Sequence, residues 1–252
     1  MSTALSVNLN KIALIRNSRE GNFPDVLEFG QLCLDQGAAG LTVHPRPDQR
    51  HIRSGDVRNL AELVKRTPKR EFNIEGNPFA KAHGDYPGLM ALVEQTQPDQ
   101  CTLVPDSNDQ LTSDHGFDLT SASDALAPIV AKLQAMGVRI SLFMDPDPVQ
   151  IRLAGELGVD RIELYTGPYA LQHGTAQGET LLSQYRRAAE QAVSSGLGVN
   201  AGHDLNLDNL SDFLTIPAIA EVSIGHALTV DALRLGMPAA IQAYLAICQQ
   251  SR

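Results

Sequence analysis

Histidines concentrate in this chain where short apolar runs give way to polar residues. Four of the seven lie at such points: His44, His51, His203 and His226. An imidazole takes up or releases a proton near neutral pH, so a cluster of them predicts acid–base chemistry. One such histidine is more often structural, but four of them together with Glu75 on one rim indicate a catalytic site.

Two glutamates in apolar runs are further candidates for this chemistry. Glu75 ends the run at residues 71–75, where partial burial would raise its pKa toward neutrality unless a cation lay beside it. That makes Glu75 a candidate general base. Glu163 lies inside its run, where it is a candidate either for catalysis or for an ion pair with an arginine.

Glycines and cations near the same positions predict phosphate binding. Gly202 precedes His203 and Gly225 precedes His226, and barrels often bind phosphate in the loops after strands seven and eight. Glycine lets backbone N–H groups approach an anion closely. The accompanying cationic candidates are Lys11, Arg19, Arg46 and His51. Together they predict small phosphorylated substrates.

The bulk composition excludes several classes of function. A formal net charge of −9 argues against nucleic acid and anionic membranes as partners, because phosphate groups would be repelled. The three cysteines, Cys33, Cys101 and Cys248, are too widely spaced for a disulfide framework or a metal motif. The first residues lack the apolar core of a signal peptide, and no run is long enough to span a bilayer. We therefore expect a cytoplasmic protein.

Strand-like and helix-like segments alternate eight times along the chain. The predicted strands cover residues 5–9, 40–44, 71–75, 100–104, 139–144, 161–165, 198–200 and 221–224. The predicted helices cover residues 24–36, 56–65, 87–96, 124–136, 148–157, 178–195, 207–214 and 229–249. This rhythm predicts an α/β fold, a (β/α)8 TIM barrel with extra short helices, as a single domain over residues 1–252. Two long loops, 76–86 and 105–119, would lie on the catalytic face and are expected to contact substrate.

Other chemistries remain open from the residues alone. Barrel metallohydrolases commonly carry His-x-His on the first strand, where this chain has Asn8-Leu9-Asn10, and His44 and His51 do not have a metal-ligand spacing. An isomerase or an aldolase acting on a phosphorylated sugar is another possibility, and Lys11 is the candidate for a Schiff base. A non-catalytic protein that binds phosphorylated metabolites is a third, although binding alone does not require the acid–base set.

Seven blocks of sequence resemble the pyridoxine 5′-phosphate synthase family in order and spacing, over nearly the whole chain. They read NLNKIALIRNSR, GLTVHPRPDQRHI, FNIEG, TLVPD, IELYTGPYA, VNAGHDL and VSIGHAL. The resemblance implies a (β/α)8 barrel that assembles as a homo-octamer, a ring of dimers. It also implies condensation of 1-deoxy-D-xylulose 5-phosphate with 3-amino-2-oxopropyl phosphate to give pyridoxine 5′-phosphate, inorganic phosphate and water, without a metal or organic cofactor.

The same resemblance implies roles for individual residues. His44 and Glu75 would accept protons, His203 would donate one, and Glu163 would stabilise charge during the reaction. The residues implied to bind the aminoketone phosphate are Asn8, Arg19, Gly225 and His226. Those implied to bind the deoxyxylulose phosphate are Arg46, His51 and Thr112.

Three features depart from the family pattern. Asn10 and Lys11 stand where that pattern has Asp-His, and Asp204 stands where it has glycine. The loop at residues 76–88 is also longer. Asn10, Lys11 and Asp204 are therefore candidate substrate-binding residues whose contacts would differ from those of the pattern.

Overall fold

Eight parallel strands close into a barrel in the computed structural model, which describes residues 2–107 and 109–250. The strands pair in chain order, and β8 pairs with β1. They are β1 Ala4–Asn8, β2 Gly40–Val43, β3 Glu71–Gly76, β4 Gln100–Leu103, β5 Arg139–Met144, β6 Arg161–Leu164, β7 Gly198–Ala201 and β8 Ile219–Ile224. This architecture confirms the predicted (β/α)8 TIM barrel. Residues 1, 108, 251 and 252 of the predicted 1–252 domain lie outside the described residues.

Helices surround the barrel, and short extra ones are present as predicted. The helices are α1 Asn10–Asn17, α2 Val26–Asp35, α3 Ser54–Lys65, α4 Leu89–Thr96, α5 Leu119–Ala135, α6 Pro148–Leu157, α7 Gly167–Gln172, α8 Ala176–Ser194, α9 Leu210–Phe213, α10 His226–Leu235 and α11 Met237–Gln250. The prediction of one helix over residues 229–249 is wrong, because Gly236 at φ 80° separates α10 from α11. No helix in the described part of the chain is long and apolar enough to cross a membrane.

Alternate residues of each strand face two different environments. In β3, Phe72 and Ile74 are buried in the apolar core, whereas Asn73 bonds to polar side chains of the neighbouring strands. Thr102 Oγ1 donates to Asn73 Oδ1 at 3.1 Å, and Asn73 Nδ2 donates to Thr42 Oγ1 at 3.5 Å. Because side chains alternate with a period of two, Glu75 shares the face of Asn73 and points into the barrel.

The amino-terminal end of the barrel is closed by a layer of ion pairs. Arg161 Nη1 lies 3.2 Å from Glu221 Oε2, and Arg139 contacts Glu71. Burial raises the pKa of Glu221, and the two arginines oppose that rise. A cavity of about 190 Å³ lies here, but its lining contains no histidine. Charge pairing at this end contributes to stability and not to the reaction, since barrel enzymes react at the opposite end.

Candidate active site

Thirteen of the fourteen predicted site residues line one cavity of about 310 Å³ at the carboxyl ends of the strands. They are His44, Glu75, Glu163, His203, Asn8, Asn10, Lys11, Arg46, His51, Thr112, Asp204, Gly225 and His226. Arg19 is the exception. It lies two residues beyond α1, is exposed, and does not line the cavity of its own chain.

Two asparagines, Asn8 at the end of β1 and Asn10 at the start of α1, hold the chain where it leaves β2. Asn8 Oδ1 accepts from the backbone N–H of Asn10 at 3.0 Å, and Asn10 Oδ1 accepts from the N–H of His44 at 2.9 Å. Asn10 belongs to the first turn of α1 and not, as the sequence indicated, to the strand end. Its side chain therefore bonds to the backbone of His44 and orients that residue at the end of β2.

His44 and Glu75 face each other in the buried part of the cavity. His44 Nδ1 lies 3.8 Å from Glu75 Oε2, and Asn8 Nδ2 donates to the same oxygen at 3.4 Å. Burial raises the pKa of Glu75 to about 8, helped by the carboxyl groups of Asp106 and Glu221. Burial and the nearby Arg46 lower the pKa of His44 to about 3. A neutral imidazole thus faces a protonated carboxyl group near neutral pH, which is an arrangement suited to proton exchange.

Glu163 is buried deeper in the same barrel interior. Its Oε2 has no hydrogen-bond partner among the described residues. Burial and the carboxyl groups of Glu75 and Glu221 raise its pKa well above the ordinary value. No arginine contacts it, so the ion-pair interpretation of this residue finds no support in the described part of the chain. A neutral buried carboxyl group can respond to positive charge that develops beside it.

His51 presents one ring nitrogen to the protein and the other toward the cavity. The Ile52 N–H donates to His51 Nδ1 at 2.9 Å, which places the ring proton on Nε2. Burial lowers the pKa of His51 to about 3, so the ring is neutral and can donate a hydrogen bond from Nε2. Arg16 and Asn17 of α1 hold its backbone carbonyl at 3.0 and 2.8 Å.

His203 contacts residues from several loops at the mouth of the cavity. Thr112 Oγ1, on the loop after β4, lies 2.9 Å from His203 Nε2, and Asp204 Oδ2 lies 3.1 Å from His203 Nδ1. The contact with His203 lowers the pKa of Asp204. Thr166 Oγ1 donates to the His203 carbonyl at 2.5 Å, and the Tyr165 ring stands edge-on at 5.1 Å. The Asp204 carboxylate and the Thr112 hydroxyl group therefore lie beside opposite nitrogens of the His203 ring.

The amino terminus of α10 opens onto the cavity between β8 and β1. Gly225 precedes the helix, and its carbonyl accepts the first intrahelical bond, from Thr229 at 3.0 Å. The N–H groups of His226 and the two residues after it are therefore not used within the helix, and such groups bind phosphate. A Cβ at Gly225 would lie 3.0 Å from Asn8 Cβ. Glycine avoids this close contact between the start of α10 and the end of β1.

Asp106 is a functional candidate that the sequence reasoning missed. It is buried on the loop after β4, contacts Arg46, and accepts from Ser113 Oγ at 3.1 Å. Its Oδ2 also lies 3.3 Å from His44 Nε2. The available signal was its place two residues beyond an apolar strand end, in the block TLVPD. Its partners His44 and Arg46, however, lie on the loop after β2 and could not be identified from spacing.

The sequence profile of the family described as "Pyridoxal phosphate biosynthesis protein PdxJ" matches residues 5–250. The chain belongs to this family. The pyridoxine 5′-phosphate synthase of Xanthomonas axonopodis pv. citri (strain 306) is 54% identical over 248 residues, covering 98% of this chain and 97% of that relative. The synthase of Albidiferax ferrireducens is 53% identical over 254 residues, with full coverage of both chains. The resemblance predicted from seven blocks is confirmed.

Solved structures agree on the fold. 3-Hexulose-6-phosphate synthase from Salmonella typhimurium superposes with a TM-score of 0.66 at 14% identity, over 100% of both chains. Thiamine phosphate pyrophosphorylase from Pyrococcus furiosus superposes with a TM-score of 0.62 at 12% identity, over 99% of this chain and 96% of the other. At such low identity these likenesses show a shared barrel and nothing about the reaction.

Proposed function

We propose that this chain is a pyridoxine 5′-phosphate synthase, which condenses 1-deoxy-D-xylulose 5-phosphate with 3-amino-2-oxopropyl phosphate to pyridoxine 5′-phosphate, inorganic phosphate and water. The observation that carries the proposal is the face-to-face pair of His44 and Glu75 in a cavity with separate groups of anion-binding residues. Membership of the PdxJ family and full-length relatives of that name support it. An aldolase or a non-catalytic binding protein is not favoured.

Proton transfer is the core of the proposed reaction, because amine addition, loss of water and ring closure involve no change of oxidation state. We propose that Glu75 and His44 accept protons from the aminoketone. Glu75 is protonated in the empty site, but the ammonium group of the incoming substrate would favour its ionised form. His203, supported by Asp204, would protonate the leaving oxygen. Glu163 would stabilise positive charge on the imine intermediates.

Two substrate phosphates require two anion sites, and two groups of residues that line the cavity support this proposal. The first would be the amino terminus of α10 with Gly225, His226 and Asn8, for the aminoketone phosphate. The second would be Arg46, His51 and Thr112, for the deoxyxylulose phosphate, with Lys11 and Asp204 at the mouth between the sites. Arg19 stays a proposed ligand of the aminoketone phosphate.

Assembly, location and cofactor use are also proposals. We propose a homo-octamer, a ring of dimers, built from a single barrel domain over residues 1–252. Exposed apolar side chains on two helices that pack together support contacts between copies: Leu14 and Ile15 on α1, and Val230 and Leu233 on α10. We place the protein in the cytoplasm, where its three buried free cysteines stay reduced. We expect it to need no metal or organic cofactor and to have no nucleic-acid or membrane partner.

The test is a coupled measurement of two products. Purified protein is incubated with both phosphorylated substrates, and pyridoxine 5′-phosphate is followed by mass while inorganic phosphate is followed colorimetrically. The proposal expects equimolar formation of both products, and neither when either substrate is omitted. Tight binding of both substrates without product would instead favour the non-catalytic binding protein. Borohydride trapping of a covalent adduct at Lys11 would favour the aldolase.

A further inference from the structure

Asp106 occupies a position that the proposed roles leave unexplained. It is only 7% exposed, lies on the loop after β4, and does not line the cavity. Its carboxylate nevertheless meets three side chains: His44 and Arg46 on the loop after β2, and Ser113 farther along its own loop. A buried carboxylate with several specific partners is costly to maintain unless it orients something.

The partners of Asp106 define a charge-paired network. Arg46 Nη2 contacts Oδ2, and Ser113 Oγ donates to the same oxygen at 3.1 Å. Burial raises the pKa of Asp106, whereas Arg46 and the Ser113 hydrogen bond oppose that rise. Asn77, on the loop after β3, donates from Nδ2 to the Asp106 backbone carbonyl at 2.6 Å and fixes the residue from the other side. The carboxylate is thus held in one place.

The two ring nitrogens of His44 face different carboxyl groups. Nε2 lies 3.3 Å from Asp106 Oδ2, away from the cavity lining, whereas Nδ1 lies 3.8 Å from Glu75 Oε2, which lines it. Paired with the Arg46 guanidinium, the Asp106 carboxylate can accept a hydrogen bond from the His44 ring but cannot donate one, so it favours the proton on Nε2. The lone pair of Nδ1 is then directed toward Glu75 and the cavity, where a proton acceptor is needed.

We propose that Asp106 is a positioning residue, which holds His44 in the Nε2–H tautomer and so makes Nδ1 the proton acceptor. This assigns Asp106 the part that a buried carboxylate plays for a catalytic imidazole elsewhere. The same carboxylate neutralises Arg46 while the deoxyxylulose phosphate site is empty. The kinetic part of this inference depends on the proposed function, whereas its spectroscopic part needs no substrate.

The kinetic experiment compares Asp106→Asn with Asp106→Glu and with Asp109→Asn, a matched loss of charge at an exposed residue of the same loop. An amide at position 106 can donate to Nε2 and would favour the wrong tautomer. Because such a change costs about 10⁴ in kcat where a carboxylate orients a catalytic histidine, we expect a loss on the order of 10² or more for Asp106→Asn. KM should change less than about threefold, Asp106→Glu should recover part of kcat, and Asp109→Asn should match the wild type.

The spectroscopic experiment reads the tautomer of His44 directly. In protein labelled with ¹⁵N-histidine, the two ring nitrogens give different shifts according to which one carries the proton, and His44 is assigned by its absence from His44→Gln. We expect Nε2–H in the wild type and a shift toward Nδ1–H in Asp106→Asn. Nδ1–H in the wild type would overturn the inference, as would an Asp106→Asn loss confined to KM. If Asp106→Asn fails to fold, the tautomer of His44 in the wild type tests the inference by itself. If the wild type makes no product, the proposed function fails but the tautomer still tests Asp106.

Discussion

Replacing Glu75 by glutamine should make the protein more stable while it abolishes the reaction. A carboxyl group whose pKa is raised by folding destabilises the folded state as soon as the unfolded chain ionises, above a pKa of 4.5. The loss grows with pH until the folded-state pKa of about 8 is reached, and is constant beyond it. Glutamine keeps the shape, can still accept from Asn8, and never carries the charge.

The size of the effect follows from the interval between the two pKa values. Each unit corresponds to about 1.4 kcal/mol, so wild-type Glu75 costs about 3 kcal/mol at pH 7 and about 5 kcal/mol above pH 8. In a chain of this size, a gain of about 3 kcal/mol raises Tm by about 6–12 °C. Below pH 4.5 the side chain is neutral in both states, and the variant should gain nothing.

The assay is thermal and urea unfolding of wild type and Glu75→Gln from pH 4 to pH 9. Taking the difference between the two proteins removes the contribution of every other titrating group that the substitution does not touch. Glu190→Gln is the control, because Glu190 is exposed on α8. Equal stability of Glu75→Gln and wild type at pH 8, or a gain that does not depend on pH, would refute the assignment of Glu75 as a buried group with a raised pKa.

Further predictions concern turnover, pH and metals. His203→Ala should lower kcat by about 10² or more and raise KM little, since the proposed role of this residue is to donate a proton in the transition state; a loss confined to KM would contradict that role. Thr112→Val removes a contact with His203 and a proposed phosphate ligand, and should raise KM for deoxyxylulose phosphate by about tenfold, as measured by steady-state kinetics. In the free enzyme kcat/KM should rise toward about pH 8 as Glu75 ionises, and a flat profile would argue against Glu75 as a proton acceptor. Dialysis against a chelator should leave activity unchanged, whereas activity restored only by an added metal would contradict the cofactor-free reaction.

The fold could be predicted from the sequence because each strand end is marked by a change from apolar to polar residues. The predicted carboxyl ends of all eight strands lie within one residue of the observed ones, since each apolar run stops where polar residues begin. Helix α1 was missed because Leu9, at its N-cap position, provides no side-chain cap and the helix follows the strand directly. The sequence predicted one helix across Gly236, which in the structure separates α10 from α11, because isolated glycines also occur within helices.

The members of the site were largely predictable, whereas their partners were not. Charged and glycine residues at strand ends must share one face of a barrel, so His44, Glu75 and His203 could be grouped without coordinates. The direction of the Glu75 pKa shift also followed from its place at the mouth. The contact of Thr112 with His203 joins residues 91 apart in sequence, and the contact of Asp106 with His44 joins two separate loops. Neither follows from a local pattern.

The proposed proton transfer by His44 and Glu75 on bound substrates is tested by a measurement that separates binding from turnover. Calorimetry gives the affinity for each substrate, and quenched-flow mass analysis gives product formation, for wild type, His44→Gln and Glu75→Gln. The proposed mechanism predicts that both variants bind both substrates within about threefold of the wild type but form no pyridoxine 5′-phosphate. Product formation at near wild-type rates by either variant would contradict it.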